Sequence, residues 1–329
     1  MNSEFRQDLV SGDWILIAPT RSKRPDQFKT AKSRQKTPER DCPLEFAGEK
    51  GNGKLIFSWP TKHTWRVRVI TNKYPVVYPG KTKTTPKKEG PISVIAGVGY
   101  HEMAVTRDHH TNFPKLDPAD ALLVFQAFQS RYQYFSGDKN IFYVSLMHNW
   151  GPTAGASIYH PHYQIVAIPL VPPDVEHSLE GSRRYFEVKK RCVHCTQIAW
   201  EKKQKKRIVY ENNETIAFCP FVSRAPFEIR IFPKRHLPFF ENTKTDTLKG
   251  ITETLQKSLG KLKSSLNDPD YNFFIHTAPI KNRDDYQHYH WHIEVIPRTT
   301  ISAGFELGTA IEINPLDPNK AAAILKLAR

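Results

Sequence analysis

Two histidines one residue apart, His160 and His162, are followed at the same spacing by Gln164. On a strand, alternate side chains share a face, so that face would carry two imidazoles and an amide while Tyr163 and Ile165 point away. One imidazole can attack phosphorus, and the amide can donate to a phosphoryl oxygen. Upstream, residues 149–157 run from Asn149 to Ser157 through small residues that include Gly151 and Gly155. Such a loop offers backbone N–H groups to an approaching anion. A solvent-facing histidine pair on an edge strand would explain His160 and His162 alone; the loop and Gln164 argue against that reading.

The elements that must position these groups occur twice, in the same order. The first set is an apolar run, Glu102–Thr106, ending near His109, then a helical pattern over 118–135, a strand-like run Ile141–Leu146, and the closing stretch His160–Pro169. The second set starts with Phe227–Phe232, ending near His236. It continues with a helical pattern over 246–266, where Leu248, Ile251, Leu255 and Leu259 have helical spacing, then a strand-like run Tyr271–Ile275 and the stretch His290–Pro297. His162 and His292 are 130 positions apart, as are positions 142 and 272 in the preceding strand runs. A cysteine, Cys42 or Cys192, lies upstream of each histidine-ended run. The expected fold is α+β: two tandem units, 1–185 and 186–329, each a largely antiparallel sheet with packed helices. The charged, proline-containing segment after Pro172 is read as the linker. The second unit has His292 and Glu294 where the first has His162 and Gln164, lacks the small-residue loop, and reads as a non-catalytic copy.

The 329 residues, 39% hydrophobic and 12% aromatic, suit two packed domains and exclude disorder as the default. No apolar run approaches the ~20 residues that span a bilayer, and the first residues contain no apolar signal segment, so a cytoplasmic protein without a membrane partner is expected. The four cysteines are too few for a disulfide scaffold of this length. Cys192 and Cys195 have a spacing that favours metal or redox chemistry, and with His236 and His290 they form a Cys₂His₂ set suited to tetrahedral zinc; two ordinary buried cysteines are the alternative. The net charge of +15 attracts polyanions, including nucleotides and sugar phosphates. The lysine-rich stretches 81–88 and 202–207 lack interleaved aromatics, so they read as solvated surface and nucleic acid is not expected as a partner.

The stretch from Ala154 to Gln164 resembles the active-site signature of the galactose-1-phosphate uridylyltransferase family, a branch of the histidine-triad superfamily. Residues 6–19 and 21–25, Asn72 to Pro75, His276 to Pro279 and Gly304 to Glu306 resemble the same family, so the likeness runs from about residue 4 to the C-terminus. It implies two tandem histidine-triad-like units, with His162 as the nucleophile that attacks the α-phosphorus of a nucleotide sugar and holds the nucleotidyl group covalently. A hexose 1-phosphate would leave and a second sugar phosphate would take the nucleotide, in ping-pong order. By the same resemblance, Gln164 stabilises phosphoryl oxygens, and Asn149, Gly155 and Ser157 bind the phosphates. Arg21 and Arg24 form a basic pair near them, and Asn72 lies near the nucleoside. Family members are homodimers with shared sites, and the second unit would contribute to sugar binding in the partner's site.

The resemblance also implies a first metal set, with one departure. The family has Cys-x-x-Cys where this chain reads Cys42-Pro43-Leu44-Glu45. Carboxylate is an accepted zinc ligand, so Cys42, Glu45, His109 and His160 can still close a site, with a metal-free site as the alternative. Counting from Glu102 favours His110 as third ligand, whereas the order around Asp108, Phe113 and Leu116 favours His109, which is adopted. Zinc on His160 would steady the strand that carries His162. One or two zinc ions per chain are expected; the Cys192, Cys195, His236 and His290 set matches relatives that look like ADP-glucose phosphorylases.

The leading expectation is UDP-glucose–hexose-1-phosphate uridylyl transfer, part of galactose metabolism. An ADP-glucose phosphorylase-like adenylyl transfer, with phosphate as acceptor, is the alternative. The proline between His160 and His162 favours the first; the Cys192 and Cys195 set and the stretch 304–309 favour the second. Thr300 and Glu312 stand where a lysine and a glutamine would contact the sugar phosphate. A non-catalytic, zinc-containing nucleotide- or nucleic-acid-binding protein is the alternative of another class, opposed by the presence of His162, Gln164, Ser157, Arg21 and Arg24 together.

Overall fold

A computed structural model describes residues 2–23, 34, 36–49, 52–80 and 84–328. In chain order the strands are β1 (Glu4–Gln7), β2 (Trp14–Ile17), β3 (Leu55–Trp59), β4 (Val67–Thr71), β5 (Lys87–Glu89), β6 (Ile92–Val94), β7 (Tyr100–Thr106), β8 (Tyr143–Trp150), β9 (His162–Ile168), β10 (Ile208–Glu211), β11 (Thr215–Phe218), β12 (Ile229–Pro233), β13 (Tyr271–His276), β14 (His292–Pro297) and β15 (Ile313–Asn314). The α-helices are α1 (Pro118–Ser136), α2 (Pro173–Lys189), α3 (Val193–Gln204), α4 (Thr245–Leu266), α5 (Gly304–Thr309) and α6 (Pro318–Leu327).

Ten strands make one sheet in the order β10-β11-β12-β14-β13-β8-β9-β7-β4-β3, and its neighbouring strands run antiparallel. Read outward from the central pair β8 and β13, the order is β8-β9-β7-β4-β3 on one side and β13-β14-β12-β11-β10 on the other. The two repeats therefore share one ladder, with Asn149 opposite Asn272 at the seam.

One face of this sheet is packed. On β9 the residues Tyr163, Ile165 and Ala167 are fully buried beneath α1, while His162, Gln164 and Val166 point to the opposite face. Helix α1 begins on Asp117, whose side chain accepts from the Ala119 N–H, with Pro118 in the first turn. It buries Ala121, Val124, Phe125, Phe128, Tyr132 and Phe135 at spacings of three and four. Helix α4 does the same with Leu248, Ile251, Leu255, Leu259, Leu262 and Leu266, and ends on Asn267 in the left-handed conformation. The two helices touch each other, so one apolar core runs beneath both repeats. Each such buried side chain contributes about 1.5–3 kcal/mol relative to exposure.

On the opposite face, Cys42, Leu44 and Ala47 pack on Ile70, Met103 and Val105, which fixes the segment containing Cys42 and Glu45 over β4 and β7. Away from the main sheet, β1 and β2 form a hairpin, and β15 pairs parallel to β2. Arg6 crosses from β1 to Asp317 at 2.9 Å, and both side chains are buried.

Four expectations shift. The segment after Pro172 is helix α2, into which position 185 falls; Pro173 occupies its first turn, and Val175 and Leu179 pack against Tyr143, Phe239 and Tyr289. The strand expected from Ile141 begins at Tyr143 and runs to Trp150, because the Ile141 N–H is used in a turn to the Asp138 carbonyl. Phe227 has φ of 61° and precedes β12. His160 lies outside β9, since Pro161 has no N–H for the ladder and pairing with β7 starts at His162 opposite Val105.

Candidate functional site

His162 begins β9 opposite Val105, on the face away from α1. Its Nδ1 lies 2.9 Å from the His160 carbonyl, so Nδ1 carries the proton and donates. Burial pushes the imidazole below its ordinary pKa, which keeps the ring neutral near pH 7. The lone pair is then on Nε2, which has no hydrogen-bond partner among the described residues.

Gln164 shares that face. Its Oε1 lies 3.1 Å from Nε2 of His101 on β7, and the Val76 N–H points at His101 Nδ1 from 3.3 Å. An N–H arriving at Nδ1 requires His101 to carry its own proton on Nε2, which donates to Gln164 and leaves the Gln164 amide nitrogen free to donate outward. His101 is buried and its pKa is lowered by desolvation, so it holds this neutral form. Asn72 Nδ2, also an N–H donor, lies 3.1 Å from the same ring nitrogen and makes no hydrogen bond to it in this tautomer. The sequence reading missed His101; its signal is a polar residue alternating with Met103 and Val105 on an apolar strand.

The loop after β8 departs from expectation. Gly151 and Gly155 have φ of 88° and 86°, which favours glycine at both. The N–H groups of Ala154, Gly155 and Ala156 bond within the loop, however, and that of Thr153 bonds to Asp270. Any anion here would meet side chains such as half-buried Asn149 and exposed Ser157 in place of that row of amides. Arg21 is exposed in a short 3₁₀ turn after β2. Arg24 lies outside the described residues.

Cys42, Glu45, His109 and His160 come together, with one candidate donor atom from each within 4.8 Å of the others. Glu45 Oε1 is 2.6 Å from His109 Nδ1 and 3.2 Å from His160 Nδ1, and Cys42 Sγ is 3.8 Å from His160 Nδ1. Tetrahedral bonds of about 2.0–2.3 Å place ligand atoms roughly 3.3–3.8 Å apart, so the set fits a metal after small adjustment. The far ring nitrogens are held by carbonyls, His109 Nε2 by Thr37 at 2.8 Å and His160 Nε2 by Thr106 at 2.7 Å. Both rings thus present Nδ1 to the centre, as ligand histidines do when the other nitrogen donates outward. His110 is exposed and 3.4 Å from Glu39, apart from this set.

Cys192, Cys195, His236 and His290 form the corresponding group in the second repeat. Cys195 Sγ is 3.5 Å from Nδ1 of both His236 and His290, and His236 Nε2 is held by the Gln287 carbonyl at 2.8 Å. Hydrogen bonds from Cys192, His236 and His290 push the Cys195 thiol down, the direction a metal ligand requires.

The second repeat's counterpart of the His162 face carries a charged cluster that lines a small cavity. Glu294 is bound by Arg224, its other oxygen is 3.2 Å from Arg230 Nε, and Arg230 also pairs with Glu228 at 3.0 Å. Burial raises the Glu294 pKa, but Arg224 and Arg230 outweigh it and hold the carboxyl well below its usual range. His292 Nε2 faces this carboxylate at 3.5 Å.

His162 and Gln164 thus lie together on the sheet face away from α1, and comparison with known proteins places the chain among nucleotidyltransferases. Residues 1–172 match the N-terminal domain of galactose-1-phosphate uridyl transferases, and residues 92–326 match a domain of unknown function, DUF4921. An ADP-glucose phosphorylase of Arabidopsis thaliana is 32% identical over 98% of this chain and 92% of its own length. A galactose-1-phosphate uridylyltransferase of Thermotoga maritima is 26% identical over 98% of each chain. The crystal structure of an ADP-glucose phosphorylase from Arabidopsis thaliana with bound ADP-glucose superposes with a TM-score of 0.83 at 27% identity over the whole of both chains. The chain belongs to the galactose-1-phosphate uridylyltransferase family.

Proposed function

We propose that the enzyme moves a nucleoside monophosphate from a nucleoside-diphosphate hexose through a covalent intermediate on His162, with UDP-glucose as donor and a hexose 1-phosphate as acceptor. The observation that carries the reading is the fixed tautomer of His162, whose Nε2 is unbonded among the described residues. Nε2 attacks the α-phosphorus, the bond to the bridging oxygen breaks, and the hexose 1-phosphate leaves with that electron pair. The acceptor's phosphate oxygen then attacks the same phosphorus and frees the imidazole. The Gln164 amide nitrogen donates to the phosphoryl oxygens, Asn149, Gly155 and Ser157 line the phosphate path, and Arg21 with Arg24 supplies positive charge. Asn72 lies toward the nucleoside.

Both Cys/His groups are proposed to hold zinc, through Cys42, Glu45, His109 and His160 and through Cys192, Cys195, His236 and His290. The ion's contribution is structural, cross-linking segments and orienting the chain that leads into β9. The division into units at 1–185 and 186–329, a cytoplasmic location and a homodimer complete the reading. Supporting association, Ile301, Phe305 and Leu307 are exposed apolar residues near the C-terminus; gel filtration at the monomer volume would remove that part. No described helix is long and apolar enough to cross a membrane.

A second reading has ADP-glucose as donor and phosphate as acceptor. It is favoured by the 32% identity to the ADP-glucose phosphorylase over 98% of this chain. Incubating the protein with α-³²P-labelled UDP-glucose and ADP-glucose side by side tests both. The expected result is acid-labile label on His162 from one donor, chased by hexose 1-phosphate in the first reading and by phosphate in the second. No label from either donor overturns the covalent mechanism.

A further inference from the structure

The phosphate-side loop belongs to the first repeat, but the side chains that hold it belong to the second. We propose that Asp270 and Asn272 are positioning residues for nucleotidyl transfer: they lock the loop 151–157 and orient the amide of Asn149. The proposal rests on the reading of Asn149 and this loop as phosphate contacts.

Asp270 stands just before β13. Its Oδ2 accepts from the Thr153 N–H at 2.8 Å and from the Thr153 hydroxyl at 2.7 Å, and its Oδ1 accepts from Arg34 Nε at 3.0 Å. One carboxylate thus ties the loop to the chain ahead of the Cys42 segment, through charge-assisted bonds. The approach is tight: a Cβ on Gly151 would lie 1.9 Å from Asp270 Oδ1. Only glycine lets the loop reach this carboxylate.

Asn272 lies opposite Asn149 at the seam between the repeats. Its Nδ2 donates to the Asn149 Oδ1 at 2.8 Å and to the Ala154 carbonyl at 2.8 Å, which uses both amide hydrogens. With its oxygen engaged, Asn149 keeps its NH₂ for a ligand. Asn149 sits two residues from Met147, which is opposite Gln164, so both amides lie on the same face. Phosphate oxygens accept and do not donate. An Asn149 amide turned the other way would meet them with its own oxygen and lose the interaction. Asn272 therefore sets the sign of the dipole that Asn149 offers, without touching substrate itself.

The test is the pre-steady-state rate of label transfer to His162 in the full-length protein, using whichever of UDP-glucose or ADP-glucose labels the parent. Asn272→Ala is expected to slow labelling about tenfold or more and to raise KM for the nucleotide sugar, with zinc content unchanged. In an Asn149→Ala background the same substitution should add almost nothing, because the group it orients is gone. Thr153→Ala removes one exposed hydroxyl at little risk to folding and should slow labelling about threefold. Labelling of Asn272→Ala at the parent rate, or effects of Asn149→Ala and Asn272→Ala that multiply independently, overturns the proposal. Should Asn272→Ala not fold, Thr153→Ala at the parent rate overturns it. A parent that takes no label overturns the His162 reading, and this one with it; a labelled parent with an equally fast Asn272 variant overturns this one alone.

Discussion

The two repeats orient their histidines alike and then part company at the next residue on the same face. His162 places Nδ1 2.9 Å from the His160 carbonyl, and His292 places Nδ1 3.2 Å from that of His290. For His162 the backbone thereby selects the tautomer with its lone pair on Nε2, whereas the Nε2 of His292 points an N–H at the Glu294 carboxylate 3.5 Å away. Two positions on, Gln164 is a neutral amide oriented by His101, whereas Glu294 is a carboxylate clamped by Arg224 and Arg230. A carboxylate 3.5 Å from Nε2 adds negative charge beside the ring and opposes an approaching phosphate, which the Gln164 amide does not. The fold orients a histidine the same way twice; the neighbouring side chain sets the charge it faces.

Substitutions can break this comparison at several points. The largest effect is expected at the nucleophile: His162→Asn should lower label transfer at least a thousandfold, while His292→Asn stays within about twofold. Equal losses would show that the second face is catalytic as well. Next is Arg224→Met, which removes one of the two arginines that hold Glu294 and leaves it with Arg230. Since a third of the Arg224 side chain is exposed, the expected loss is about 2 kcal/mol in urea unfolding, with transfer by the folded fraction unchanged. A variant as stable as the parent would refute the clamp.

Glu45 distinguishes the two metal groups. Glu45→Ala should cost one zinc by elemental analysis and slow transfer about tenfold, by loosening the approach to His162, whereas Glu45→Cys should keep the zinc. Unchanged zinc in the alanine variant would mean that the first group is empty. The smallest effect is in acid. Burial pushes His276, 4.0 Å from Glu294, down to about 4 from an ordinary value near 6.5. The unfolded chain binds a proton there that the folded one excludes, so this stability is complete above pH 6.5 and falls away as the pH drops toward 4. It amounts to at most about 3 kcal/mol. His276→Asn should flatten that part of the stability profile. Transfer should also decline in acid, as His162 Nε2 protonates.

Much of this was legible in the sequence because it is periodic. The 130-residue offset between His162 and His292 and the spacing of Leu248, Ile251, Leu255 and Leu259 gave the repeat and the helices, and α1 and α4 start and stop within one or two residues of expectation. Both Cys/His groups assemble from residues marked by chemical type, and His109 is the member of the first. What escaped notice depends on contacts far apart in the chain. Arg224 and Glu294 are 70 residues apart and Asp270 and Thr153 are 117 apart, with no local pattern linking them. The loop was read as a row of free amides because composition does not show that turns had already used them. Helix α2 was read as a linker because its two prolines looked like breakers, although Pro173 in the first turn is where a helix accepts one.

The small sheet has a consequence for how the protein is made. Strand β2 pairs on one side with β15, and the Leu16 and Ala18 N–H groups bond to the carbonyls of Glu312 and Asn314. The strand that leads into Arg21 is therefore paired with one that is synthesised almost 300 residues later. At roughly 5–20 residues per second, the hairpin waits about 15–60 s for its third strand. Every strand of the sheet that carries His162 has emerged before β15, so that sheet can assemble during the interval while the segment leading into Arg21 still lacks its parallel neighbour.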